Sequence, residues 1–319
     1  MEKPSLISVV ITTYRRPKLV LRAIEGALRQ TLTNFEVIVI VDGPDPEAEA
    51  VLSTVQDSKF RFVILPQNVR LAGARNAGVK EAKGNWVAFL DDDDEWMPNK
   101  LELQLKAALN SQYACPIVVS RFINKTEAGE SVWPRRLPRN AEPLGDYLFV
   151  RRALFQGEGA FLPSTYFTTK ELLIEFPFEN NKHEDYDWLL RVSANGQDVG
   201  IEYVDEPLAI WHSHVGVGEQ RLSQIPDWRY SLDWVQSARD LMTPRAYSSF
   251  LMTNVASPAA EQRDWSAFGI LLKEAVQKGN PRLLDFLLYL AMWLVSGEQR
   301  EKIRATFTKR KSAKSASIT

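Results

Sequence analysis

Cysteine is nearly missing from this chain: Cys115 is the one thiol among 319 residues, so an intramolecular disulfide framework is excluded. Histidine is almost as scarce, and two of its three copies, His212 and His214, stand side by side. Long apolar runs are absent as well. The longest, Leu283 to Val295, is interrupted by Asp285 and falls short of the roughly 20 residues that span a bilayer, so it reads as a buried or surface-lying helix. Neither charge sign dominates: the formal net charge is -1, which supplies no field for polyanions and argues against nucleic-acid binding. Met1 to Ser5 is too short for a signal peptide, no tripartite leader follows it, and the expected location is cytoplasmic. What remains is ordinary globular composition, 45% apolar and 25% charged, enough for one large domain or two smaller ones.

The first half alternates strands and helices. Leu6 to Ile11 is a continuous β-branched run, as expected of a parallel strand covered on both faces. Thr12 to Arg15 form its exit, and Pro17 suits the first position of a helix carrying Leu21, Ile24 and Leu28. Glu36 to Val41 is the next strand and ends in Asp42-Gly43-Pro44, a turn that leaves a carboxylate at the strand end. Ala48 to Val55 reads as a helix, Arg61 to Leu65 as a strand, and Asn68 to Gly84 as a helical stretch containing G-A-R-N-A-G. A strand around Val87 and Phe89 then stops abruptly in Asp91, Asp92, Asp93 and Asp94. This pitch argues for an α/β sandwich with a mainly parallel sheet, where ligands collect at the carboxyl ends of strands.

Four adjacent carboxylates repel one another, and at a buried strand end their pKa values rise unless cations or donors face them. A divalent metal site is the direct explanation; a solvated acidic turn is the plain alternative. Pro98 to Leu109 is a helix, Ile117 to Ile123 a strand, and Lys125 to Pro143 a long aperiodic loop or flap. Phe161 to Phe167 reads as extended. His183, Glu184, Asp185 and Asp187 precede the apolar face of Leu189, Leu190 and Val192, which puts the acids in a first helical turn where the helix dipole favours them. Ile201 to Trp211 is a final strand leading into His212 and His214. Beyond Gly216 the pattern is helical, so the expected domains are 1–218 and a helical 219–319 with a basic tail.

The ordered set S-V-V-I-T-T-Y-R-R-P, V-I-V-I-V-D-G, N-V-R-L-A-G-A-R-N-A-G, F-L-D-D-D-D-E-W and H-E-D-Y-D-W-L-L-R resembles the family 2 glycosyltransferases over roughly residues 6 to 214. The resemblance implies the GT-A fold and an inverting, metal-dependent enzyme using a nucleotide-sugar donor. By motif, Thr12, Tyr14, Asp42 and Arg75 hold the nucleotide, commonly a uridine diphosphate, and Asp91 and Asp92 contact ribose or water. Asp93 binds Mg²⁺ or Mn²⁺, with His212 or His214 completing the metal site. Asp185 matches the general base, with Glu184 beside it orienting the acceptor. The Gln-x-x-Arg-Trp signature of processive synthases and their membrane spans are missing, which points to addition of one sugar to a glycan or lipid-linked acceptor.

The chemistry suits these residue types. A hard divalent cation held by carboxylate oxygens offsets the charge on a departing diphosphate. A positioned carboxylate that removes the acceptor proton typically contributes about 10² to 10⁴ in rate. Side chains at i and i+1 of a helix point about 100° apart, so Glu184 and Asp185 take separate roles. Each residue also has a plainer reading: a turn aspartate for Asp42, loop residues for Thr12 and Tyr14, a surface arginine for Arg75, structural imidazoles for His212 and His214. A sugar nucleotidyltransferase would carry a glycine-rich loop after the first strand, and Thr12-Thr13-Tyr14-Arg15-Arg16 has no glycine. A non-catalytic sugar-nucleotide binder is the other alternative. Trp228, Trp234 and Trp293 read as core. The tail, Arg300, Lys302, Arg304, Lys309, Arg310, Lys311 and Lys314, is a solvated end or, with Leu283 to Val295, a peripheral contact with an anionic membrane.

Overall fold

The computed structural model describes residues 6–127, 129–139, 141–154, 157–213, 227–295 and 299. These divide into two compact units, 6–137 with 159–213, and Pro138–Glu158 with 227–295. The expected first domain, 1–218, includes 138–158, whereas in space this excursion groups with the C-terminal helices.

In the first unit β1 (Ile7–Thr13) is buried along its whole length, as its unbroken β-branched sequence requires. Helix α1 (Pro17–Leu28) starts on a proline and lays Val20, Ala23, Ile24 and Ala27 against the sheet. Strand β2 (Phe35–Val41) is also fully buried. Helix α2 (Pro46–Leu52) is capped by Asp45, whose side chain accepts from the Ala48 amide at 3.1 Å. Then come β3 (Phe60–Ile64), α3 (Arg70–Glu81), β4 (Trp86–Asp91), the two-residue β5 (Glu95–Trp96) and α4 (Lys100–Leu109). After β6 (Cys115–Thr126) and β7 (Gly129–Trp133) the chain leaves for the second unit with α5 (Leu144–Phe149). It returns as β8 (Phe167–Thr169), α6 (Lys170–Glu175), α7 (Glu184–Asn195) and β9 (Val199–His212).

The nine strands form one sheet in the order β3-β2-β1-β4-β8-β6-β9-β5, with β7 paired to β6. Strands β3, β2, β1 and β4 are mutually parallel, β6 and β9 are parallel to each other, and short β8 joins the two sets antiparallel to both. Ile7, Val9, Ile11, Val37 and Val39 share one core with Val20 and Ile24 of α1 and Leu101 of α4. Helix α3 packs on β1 and β2 and approaches closely because Gly78 has no side chain; a Cβ there would lie 2.3 Å from Val10 Cγ1. The register places Thr13 opposite Val41 and Thr12 opposite Asp91. The ends of β1, β2 and β4 therefore open side by side.

Two segments differ from the sequence reading. The stretch from Lys125 is not all loop: β6 continues to Thr126 and turns back as β7, an exposed hairpin whose polar residues gave no apolar alternation to detect. Residues Phe161 to Phe167 are not uniformly extended, since Pro163–Thr165 makes a 3₁₀ turn before β8.

The second unit holds α5 with α8 (Trp228–Ser237), α9 (Pro244–Phe250), α10 (Ala256–Glu261), α11 (Trp265–Lys278) and α12 (Leu283–Leu294), and a π-helical turn at Leu251–Val255 joins α9 to α10. Trp228, Trp234 and Trp293 are buried, and Phe250 meets both Phe149 and Trp234 edge-on at 4.8 and 5.2 Å. No helix among the described residues is long and apolar enough to cross a membrane.

Candidate active site

The exit of β1 and the acidic end of β4 are tied together. Thr13 Oγ1 donates to Asp92 Oδ2 at 2.8 Å, and Arg16 Nη1 reaches Asp92 Oδ1 at 3.2 Å and Asp93 Oδ2 at 3.5 Å. Arg15 adopts a positive φ of 55° and lays its guanidinium 5.0 Å from the Tyr14 ring, which is exposed. Thr12 is buried beneath them. Asp42, at the end of β2, is buried and accepts the Val69 amide at 2.7 Å on Oδ1. Burial raises its pKa, partly offset by the Val69 and Arg70 amides that open α3.

The four aspartates sort into two pairs. Asp92 and Asp94 are buried, whereas the side chains of Asp91 and Asp93 keep 25% and 14% of their exposure. Asp94 closes the turn: its amide donates to the Asp91 carbonyl at 3.1 Å, and its carboxylate accepts from Ser164 Oγ at 2.5 Å and from the His212 amide. Ser164 Oγ accepts in turn from the Asp91 amide at 3.1 Å, so one hydroxyl locks both ends of the turn. Burial, with the neighbouring carboxylates, raises the Asp94 pKa well above the usual range. Asp92 is pushed up to about 7, chiefly by burial, with Arg16 opposing. Arg22 braces the turn from α1, donating from Nη2 to the Asp93 carbonyl at 2.5 Å.

Across from this turn stands the start of α7. Its first turn carries Glu184, Asp185 and Asp187. Asp187 is buried and pairs with Arg191 Nε at 2.7 Å, which makes it structural. Arg75 joins the two sides. It projects from α3 with 1% exposure, donating from Nη2 to Asp91 at 2.7 Å and from Nη1 to Glu184 at 3.2 Å, and its guanidinium lies 5.5 Å from the Phe178 ring. Burial alone would lower its pKa; the charges of Asp91, Glu184 and Asp185 outweigh that and raise it. Burial raises Glu184 to about 7 against the pull of Arg75. Asp185 reaches about 6, again through burial, held lower by amide hydrogen bonds at the helix start and by Arg75. A carboxylate poised near neutral pH beside its own orienting charges suits proton abstraction.

Of the residues expected to form a site, Thr12, Tyr14, Asp42, Arg75, Asp91, Asp92, Asp93, Glu184 and Asp185 all lie at the carboxyl ends of β1, β2 and β4 or on the helices facing them. Arg75 and Asp92, however, are turned into the protein onto carboxylates and cations. His212 lies beside the acidic turn, with Nε2 2.7 Å from Glu95 Oε1, and His214 falls outside the described residues. Among the described residues no three His, Cys, Asp or Glu side chains converge on a point that would hold an ion by themselves. The partly exposed carboxylates of Asp91 and Asp93 are nevertheless hard oxygen donors, and one or two of these with phosphate oxygens and water is how Mg²⁺ is commonly held. Arg16, Arg22 and Ser164 escaped sequence reasoning. The Arg15-Arg16 pair at the β1 exit was the available signal; Ser164 had none, because its partners lie 70 or more residues away.

Residues 8–166 match the family model described as Glycosyl transferase family 2. The amylovoran biosynthesis glycosyltransferase AmsB of Erwinia amylovora is 28% identical over 257 residues, 75% of this chain and 82% of that protein. An Escherichia coli protein, UDP-Glc:alpha-D-GlcNAc-diphosphoundecaprenol beta-1,3-glucosyltransferase WfgD, is 29% identical over 136 residues, 42% of this chain and 54% of its own length. In structure, the mannosyltransferase PcManGT of Pyrobaculum calidifontis, solved with GDP-Man and Mn²⁺, superposes with a TM-score of 0.57 at 14% identity, covering 95% of this chain and 85% of that one. The shared fold is GT-A.

Proposed function

We propose that this chain, which belongs to glycosyltransferase family 2, moves one sugar from a nucleotide-diphosphate donor to a hydroxyl of a glycan or lipid-linked acceptor with inversion at the anomeric carbon. The observation that carries the reading is Arg75, whose two Nη atoms hold Asp91 of the acidic turn and Glu184 of α7 together, so one buried cation fixes the donor side against the acceptor side. Thr12, Tyr14 and Asp42 line the nucleoside end. Asp91 faces the ribose, while Asp92 acts from within, holding Thr13 and Arg16 in place.

In the reaction Asp185 takes the proton of the acceptor hydroxyl, and the oxygen attacks the anomeric carbon from the face opposite the diphosphate. The bond from that carbon to the diphosphate oxygen breaks, and the nucleoside diphosphate leaves. Glu184, pinned by Arg75, orients the acceptor. Asp93, with Asp91 near it, would hold Mn²⁺ or Mg²⁺, which when bound offsets charge on the leaving diphosphate. His212, whose Nε2 lies 2.7 Å from Glu95 Oε1, or His214 would complete that set. The uridine diphosphate donor and lipid-diphosphate acceptor named for the E. coli relative support the same classes here.

The test is Asp185→Asn with a panel of nucleotide sugars and Mn²⁺. Donor-induced thermal stabilisation should persist while transfer is lost. Normal turnover in Asp185→Asn would remove the base from the mechanism.

A further inference from the structure

Tyr166 follows the 3₁₀ turn Pro163–Thr165 and immediately precedes β8. Its backbone is tied on both sides: the amide donates to the Pro163 carbonyl at 2.8 Å, and the carbonyl accepts the Phe89 amide of β4 at 3.3 Å. The ring stacks on Trp188 of α7, with centroids 5.9 Å apart and planes 27° from parallel. Trp188 stacks in turn on Phe178 at 5.1 Å, the ring beside which the Arg75 guanidinium lies. Phenylalanine would fill this aromatic stack as well as tyrosine does, so the hydroxyl is what needs a reason.

Tyr166 has no exposure, and its hydroxyl makes no hydrogen bond within the protein. An unpaired buried hydroxyl is costly, and folded proteins keep few of them. Helix side chains lean toward the helix N-terminus, so Trp188 lies over the turn that holds Glu184 and Asp185, and the tyrosine stacked on Trp188 is brought beside that turn. Burial, and then the charges of Asp185, Tyr186 and Glu184, raise the phenol pKa well above its ordinary value, with Arg75 opposing. Tyr166 therefore keeps its proton and is a donor beside the carboxyl groups of α7. Asp185 is foremost among the charges that reach it. The amides of Asp185 and Tyr186 already hydrogen-bond the Asp185 carboxyl, and Arg75, Asp91 and Glu184 act on it by charge.

We propose that Tyr166 is a positioning residue for the base: its hydroxyl donates to the Asp185 carboxylate once that group is ionised, holding one oxygen so that the other faces the acceptor. A charged oxygen attracts a phenol proton far more strongly than a neutral carboxyl does, so the contact belongs to the ionised form that takes the acceptor proton. The inference rests on the reading of Asp185 as general base and names the side chain that orients it.

Tyr166→Phe removes the hydroxyl and keeps the ring. A hydrogen bond to the charged form lowers a carboxyl pKa, and one made to a charged group is worth about tenfold or more in the ionisation constant. In Tyr166→Phe the acid limb of kcat/KM should therefore move up by about one pH unit, with a rate loss of about tenfold near pH 6 that shrinks near pH 8.5, where the base is ionised in both proteins. Donor-induced thermal stabilisation should match wild type, which shows that the variant is folded and binds donor. A second reading needs no turnover. Carbon NMR of protein labelled at the aspartate carboxyl carbons, with the Asp185 signal identified by its loss in Asp185→Asn, should show the Asp185 midpoint moved up by the same amount. A midpoint and an acid limb that both match wild type would overturn the inference and leave the base reading standing, provided Asp185→Asn is inactive. A rate that falls by the same factor at every pH, with the midpoint unmoved, would overturn it as well and make Tyr166 a packing residue. Normal turnover in Asp185→Asn would instead defeat the base reading on which the inference rests, whatever the midpoint shows.

Discussion

Replacing Arg75 by methionine removes the cation that Asp91 and Glu184 share while keeping much of the side chain's bulk. Removing one partner of a buried ion pair costs about 3–5 kcal/mol, because the remaining charge stays buried without compensation. Asp91 retains a quarter of its exposure, so the lower end, about 3 kcal/mol, applies at pH 8. For a unit of this size that is a fall of roughly 6–12 °C in melting temperature. The loss depends on pH. Glu184 and Asp185 have folded pKa values raised to about 7 and about 6, above their unfolded values, so the folded state binds more protons between about pH 4 and 7. At pH 5 both are already largely protonated and lose little with Arg75, leaving mainly the charged hydrogen bond to Asp91, about 1.5 kcal/mol. Metal-free melting of wild type and Arg75→Met at pH 5 and pH 8 measures the difference. The variant's pH–rate profile gives an independent reading: without Arg75 the base is harder to ionise, so the acid limb moves to higher pH, Glu184 and Asp185 titrating as a pair. Equal losses at the two pH values, together with an unmoved limb, would show that Arg75 is packing and not an electrostatic brace.

The other expected outcomes are narrower. Asp185→Asn should lower turnover about 10² to 10⁴-fold in a sugar-transfer assay, with calorimetric donor affinity within about twofold of wild type. Asp93→Asn should abolish Mn²⁺-dependent stabilisation by donor while leaving the metal-free melting temperature close to wild type, since the Asp93 carboxylate pairs with Arg16 at 3.5 Å and keeps some exposure. Ser164→Ala removes the hydroxyl between the Asp91 amide and Asp94, and the unpaired groups should cost about 1–3 kcal/mol by thermal melting, with weaker donor binding. Gly78→Ala pushes a methyl into Val10 and should destabilise by about 1–3 kcal/mol without changing the pH–rate profile.

The architecture was legible where periodicity and burial agree. Ile7 to Ile11 and Phe35 to Val41 are continuous apolar runs because both faces of these strands are covered, and the turn chemistry of Asp42-Gly43 marks where the second one stops. Gly43 sits at φ 112°, a conformation that side-chain-bearing residues rarely adopt, so the glycine there is a backbone requirement that sequence reasoning can read. The β6–β7 hairpin was illegible because its stability comes from pairing across the strand and not from an apolar face. The excursion 138–158 was illegible for a related reason: its helix α5 buries Tyr147 and Phe149 in the second unit, and nothing in a local window tells which distant core receives a buried aromatic.

The acidic turn shows what a one-dimensional reading can and cannot assign. Four identical letters suggest one cluster, and the motif divides them by position, giving Asp91 and Asp92 the ribose or water contacts and Asp93 the metal. The fold divides them by alternation instead. Asp91 is the last residue of β4, and its neighbours take opposite sides as the chain leaves the strand, which sends Asp92 to Thr13 and Arg16 and Asp94 to Ser164. Which side is inner depends on Ser164 and Thr13 arriving from 70 and 79 residues away, and on Arg75 reaching Glu184 across 109. Those long-range partners also set the chemistry: burial under Ser164 raises the Asp94 carboxyl well above the usual range, while Asp92, between Thr13 and Arg16, is pushed up to about 7. A motif therefore names the residues that can act. The partners brought to them by the fold decide which carboxylates remain facing a ligand and at what pH they carry charge.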